Sequence, residues 1–74
     1  MPQLPVVRPE AAIQAFERAG FVLHHWQGSH AILYHRDGRH LSIPVHRREM
    51  PRGTLRALIR LAGLTVEAFA ELLS

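Results

Sequence analysis

The chain alternates short apolar stretches with glycine and proline breaks, and that pattern predicts six elements. Pro9 opens the first, because a proline in the first helical turn gives up an N–H that has no intrahelical acceptor. Residues 10–19 carry Ile13 and Phe16 as apolar anchors, and Gly20 follows in the position where helices commonly stop. Residues 21–26 alternate as a strand does, and Gly28-Ser29 turns the chain into a second strand over 30–36. Asp37-Gly38 between apolar runs is a strong hairpin signal. A third strand covers 40–45, with Pro44 at an unpaired edge position or at its end, since proline cannot donate to a ladder. After a polar loop over 46–52, Leu55, Leu58, Ile59 and Ala62 recur at helical spacing within 54–62. Gly63 ends that helix. Thr65 can cap a last one over 66–73, with Phe69, Leu72 and Leu73 turned inward. Helix, three-stranded meander, helix and short helix make an α+β domain, a three-stranded antiparallel sheet with its helices packed on one face.

The hairpin also predicts a register. A two-residue Asp37-Gly38 turn pairs Arg36 with Arg39, which sets His30 opposite Val45, Ile32 opposite Ile43 and Tyr34 opposite Leu41. Paired residues share a face. Ile32, Tyr34, Leu41, Ile43 and Val45 are therefore expected under the helices, and Ala31, Leu33, His35, His40 and Ser42 on the open side. A tight turn at 27–29 adds Phe21, Leu23 and His25 to the covered face and His24 and Trp26 to the open one. A one-residue bulge at Gly28 reverses that assignment for the first strand. His30 is expected at the rim of the covered face, and without that bulge His25 is near it.

Composition narrows the class. Seventy-four residues predict a single domain over 1–74. The absence of cysteine leaves no disulfide and no thiolate metal site, which suits a reducing, cytoplasmic setting. No apolar run approaches the ~20 residues of a membrane span. Residues 1–9, with three prolines and an arginine, do not read as a signal peptide. The nine basic residues are all arginine, against six acidic ones, for a net charge of +3. Guanidinium groups stay charged and pair bidentately with phosphate or carboxylate, so the balance fits a nucleic acid or an acidic protein partner.

Candidate chemistry centres on Gly28-Ser29-His30, where a glycine turn delivers a histidine to the mouth of a strand. Imidazole, with an ordinary pKa of about 6.5, exchanges protons at neutral pH. The N–H groups of Gly28 and Ser29 suit a phosphate oxygen. The same residues also fit a strand that simply begins with histidine, and spacing alone favours that reading. His24, His35 and His40 gather imidazoles on the expected open face, but with no cysteine and no carboxylate at ligand spacing, neither metal nor cofactor is expected. Trp26, beside Ala31 and Leu33, fits a docking patch or packing against the chain ends. Arg52, Arg56 and Arg60 form an i, i+4, i+8 stripe preceded by Arg47 and Arg48. Such a stripe can track a phosphate backbone, and it is also how an ordinary solvated helix face looks.

Taken in order, Leu4-Pro5-Val6-Val7, Ala19-Gly20-Phe21, Gly28-Ser29-His30, Asp37-Gly38-Arg39, Ile43-Pro44-Val45-His46, Arg52-Gly53-Thr54-Leu55, Ala62-Gly63-Leu64 and the closing 67–73 helix resemble the HicA (YcfA-like) toxin family of bacterial toxin–antitoxin systems. The resemblance covers nearly the whole chain. It departs from the family in placing arginines where lysines are usual near positions 48–52, and in its six histidines. It implies an α-β-β-β-α fold like that of the double-stranded-RNA-binding domain. It also implies an endoribonuclease acting on mRNA, a HicB-like antitoxin as inhibitor, and a catalytic role for His30. In that frame His30 is the general base, and the amides of Gly28 and Ser29 with Arg47 or Arg48 stabilise the phosphate. Arg52 and Arg56 add RNA contacts. His25, by its expected face, and His46, by the family motif, are the alternatives for a second acid–base group. The other class that fits is a non-catalytic module binding RNA or antitoxin.

Overall fold

A computed structural model describes residues 4–73, so the single domain expected over 1–74 extends past the described residues at both ends. The elements are α1 (Pro9–Arg18), β1 (Phe21–Gln27), β2 (His30–His35), β3 (His40–Pro44), α2 (Arg52–Leu61) and α3 (Val66–Leu72). The strands form one antiparallel sheet in the order β1-β2-β3. The expected α-β-β-β-α order with a short closing helix is therefore present, and most boundaries move by only a residue. The start of α2 moves by two, because Pro51 precedes the helix with an extended ψ of 138° and the helical turn begins immediately after it.

The helices share one face of the sheet. Phe16 of α1 is the hub: its ring centroid lies 5.0 Å from Phe69 of α3 and 6.1 Å from Phe21 of β1. Leu55, Leu58 and Ile59 bring α2 onto the same core, which the sheet meets with Ala31, Leu33, Leu41 and Ile43. The segment before α1 buries Leu4 and Val7 in the same core, and the Met50 N–H donates to the Val7 carbonyl at 2.8 Å. Thr65 caps α3 as expected, its Oγ1 accepting from the Ala68 N–H at 3.0 Å. No helix among the described residues is long and apolar enough to cross a membrane.

The register differs from the expected one. The β2–β3 loop has three residues rather than two: the His35 N–H donates to the Arg39 carbonyl at 2.8 Å, and the Gly38 N–H to the His35 carbonyl at 2.9 Å. Gly38 takes φ +100°, the left-handed residue of a three-residue hairpin with a glycine bulge. The extra residue has a cause in Asp37. Its carboxylate accepts from the Arg39 N–H at 3.0 Å and grips the guanidinium, with Nε to Oδ2 and Nη2 to Oδ2 both at 2.8 Å. Arg39 also donates to the Ala62 carbonyl at the end of α2 and lies 5.4 Å from the centroid of Phe21, so the hairpin is clasped to the helical layer.

A one-residue shift exchanges the faces. Leu33 pairs with Leu41 and Ala31 with Ile43 beneath the helices, whereas Ile32 pairs with Ser42 and Tyr34 with His40 on the other side. His35, expected on the open face opposite His40, is instead tucked on the helical side, 5.0 Å from the centroid of Phe21. Strand β1 carries its bulge at His24–His25 rather than at Gly28. Phe21 and Leu23 keep their expected face, but His25 moves to the open one and Trp26, paired with Ala31, moves to the helical side. There Trp26 is 51% exposed, at the end of the sheet.

Candidate functional site on the open face of the sheet

The helix-free face of the sheet is built from Val22, His24, His25, His30, Ile32, Tyr34, His40 and Ser42, and the three strands contain no acidic residue. The bulge gives β1 two consecutive residues on this side, since His24 and His25 both fall opposite Ile32. Their Nδ1 atoms are 2.7 Å apart, a hydrogen bond in which one ring donates and the other accepts. His24 stacks on Tyr34, with centroids 4.6 Å apart and planes 13° from parallel. His40 flanks the other side of Tyr34 at 6.0 Å. Among the described residues no group of three or more histidine or carboxylate side chains is arranged to hold a metal ion.

His30 begins β2. Gly28 takes φ +56° while Ser29 stays at negative φ, the pattern of a two-residue hairpin with glycine first, and Gln27 pairs with His30 across it. A Cβ on Gly28 meets nothing within 4 Å, so this position needs glycine for its backbone conformation and not for space. His30 pairs with Pro44 rather than Val45 and is exposed on the open face, not at the rim of the covered one. His25 nonetheless shares its face, as expected, because both residues changed sides. The N–H groups of Gly28 and Ser29 have no acceptor among the described residues, and the Ser29 carbonyl accepts from the Val45 N–H at 2.9 Å. His46 lies beyond that last ladder bond in an irregular, exposed segment.

Seven of the nine arginines fall into two groups, while Arg8 donates to the Arg47 carbonyl at 2.9 Å and Arg36 is exposed in the β2–β3 loop. Arg39 and Arg18 donate to carbonyls at the ends of α2 and α3, Ala62 and Leu72 respectively. Arg47, Arg48, Arg52, Arg56 and Arg60 are exposed along the loop and α2, and none of them forms an ion pair with a described residue. Arg56 and Arg60 edge a groove of about 210 Å³ with Ile59, Leu64 and Val66, within the helical layer rather than at the histidines. Tyr34 is the site-face residue that sequence reasoning missed. The signal was the clean alternation of β3, with Leu41 and Ile43 apolar and His40 and Ser42 polar, against an uninterrupted apolar run in β2 that fits either register.

A small helix-backed domain with a carboxylate-free, imidazole-lined sheet face and a row of arginines that form no ion pair among the described residues is the class that fold and surface define. Residues 10–64 match the family described as the HicA toxin of bacterial toxin–antitoxin systems, from the second residue of α1 through Leu64 and including all three strands. The chain belongs to that family. Its partner class is accordingly an antitoxin. Comparison with curated proteins gave no match.

Proposed function

We propose that the protein is the toxin of a HicA/HicB-type pair and an endoribonuclease that cleaves mRNA with His30 as general base. The observation that carries this reading is His30 itself, exposed at the head of β2 on the helix-free face, in the Gly-Ser-His motif of a HicA-family chain. RNA brings its own nucleophile, the 2′-OH. His30 removes that proton, O2′ attacks phosphorus, and the P–O5′ bond breaks. The unengaged N–H groups of Gly28 and Ser29 suit the charge that builds on the phosphoryl oxygens, and Arg47 or Arg48 adds a guanidinium. Arg52 and Arg56 extend the contact along the RNA backbone. No step requires a metal ion. An acid–base group of this kind contributes ~10²–10⁴-fold. An antitoxin that lays carboxylates on the sheet face excludes RNA by occupying the same surface.

The test compares wild type with His30→Ala on an unstructured RNA and in cells. Wild type is expected to cut and to arrest growth, and His30→Ala to do neither while keeping its fold. Equal cleavage by both removes His30 from the chemistry. RNA binding by wild type with no cleavage in any condition favours the non-catalytic module.

A further inference from the structure

We infer that His25 is the general acid that completes the reaction and that His24 is its positioning residue; this rests on the reading of His30 as the base. The bulge in β1 sets His25 opposite Ile32, two residues from His30 on the same face of β2. Diagonal neighbours of this kind are about 7–8 Å apart, within reach of two side chains. In this arrangement one phosphodiester bridges the two side chains as substrate, its 2′-OH toward His30 and its 5′-oxygen toward His25.

The Nδ1···Nδ1 bond of 2.7 Å fixes what His25 can do. The nitrogen left over is Nε2, and the hydrogen bond made by one ring nitrogen determines the role of the other. As an imidazolium, His25 donates its Nδ1–H to the lone pair of His24 Nδ1, and His24 is then neutral with its proton on Nε2. When O5′ leaves, it takes the Nε2 proton of His25. His25 remains as the neutral Nδ1–H tautomer with its hydrogen bond to His24 intact. The base has meanwhile gained the 2′-OH proton, so the step conserves protons: one moves from O2′ to His30 and one from His25 to O5′. The products are a 2′,3′-cyclic phosphate and a 5′-hydroxyl.

Tyr34 holds the arrangement from below. His24 lies flat on its ring, and His40 tilts against the other side. The titratable groups that share the face of His25 are His24, Tyr34, His30 and His40, with no carboxylate on any strand. His46 lacks this support. It is exposed, past the last ladder bond, and its side chain has no partner among the described residues.

A substrate with sulfur in place of the scissile 5′-oxygen separates acid from base, because a thiolate departs without being protonated. On ordinary RNA, His25→Ala and the shape-conserving His25→Gln are expected to lose ~10²–10⁴-fold and to lose the fall in rate at alkaline pH that marks a required acid. On the sulfur substrate both regain at least a tenth of wild-type rate, whereas His30→Ala stays inactive. His24→Asn, which keeps an acceptor near the Nδ1 position, is expected within threefold of wild type. His24→Leu should be at least tenfold slower on ordinary RNA and within threefold of wild type on the sulfur substrate, which needs no acid. Equal losses for His25→Ala on both substrates, or sulfur rescue in His46→Ala instead, overturn the assignment of His25. Equal rates for His24→Leu and wild type on ordinary RNA, or equal losses on both substrates, overturn the role of His24. Full activity in His30→Ala on ordinary RNA rejects the underlying reading instead.

Discussion

Asp37 shows how much one side chain decides. Its contacts with Arg39 hold the carboxyl well below its ordinary range, at about 2 against 3.8, chiefly through the Arg39 side chain, then the Arg39 backbone N–H, with smaller help from the nearby charges. The folded state therefore binds this proton less readily than the unfolded chain does. Stability from the contact is complete above about pH 4 and is lost as the pH falls through about 2. The pair is solvent-exposed, so its contribution is screened and modest. Melting curves of wild type and Asp37→Asn are expected to differ at pH 6 and to converge as the pH approaches 2; a constant gap across that window contradicts the account. The same residue limits what the sequence could disclose. Gly28, Ser29 and His30 were legible as a turn and a histidine. The side on which His30 lies was not, because a three-residue loop stabilised by Asp37–Arg39 and a two-residue turn share the same Asp-Gly signature.

At the scale of elements, punctuation was far more legible than pairing. Pro9, Gly20, Gly28, Gly38, Gly63 and Thr65 mark at least one end of each of the six elements, each through a local preference that needs no knowledge of the rest of the fold. Register depends on contacts between elements: Arg39 reaching Ala62, and the bulge that lets both His24 and His25 face away from the core. Two substitutions test these local causes. Gly38→Ala forces a Cβ into φ +100° with open space around it, so the cost is conformational, about 1–2 kcal/mol. Thr65→Ala removes the cap of the seven-residue α3 and costs about 1 kcal/mol. Both are read as shifts in the denaturation midpoint. A stabilised Gly38→Ala protein argues against the three-residue hairpin.

The whole molecule separates its two faces by chemistry. One face carries nearly all of the large buried apolar side chains, centred on Phe16, and the other carries imidazoles and a tyrosine with no acidic residue between them. The exposed arginines run along the loop and α2, where no described carboxylate neutralises them. Replacing Arg52, Arg56 and Arg60 together by glutamine is expected to flatten the dependence of RNA affinity on salt. The logarithmic slope should fall by about 2 if all three meet phosphates of a single strand, and an unchanged slope removes the stripe from the RNA contact. On the proposed reading, the side chains of this face cleave RNA through its own 2′-OH, beginning at His30. The most direct measurement is end-group analysis of a defined RNA incubated with the purified protein and with His30→Ala, both in excess EDTA. Fragments ending in 2′,3′-cyclic phosphate and 5′-hydroxyl are expected from wild type alone; 5′-phosphate ends, loss of cleavage on chelation, or the same fragments from His30→Ala rule out this chemistry at His30.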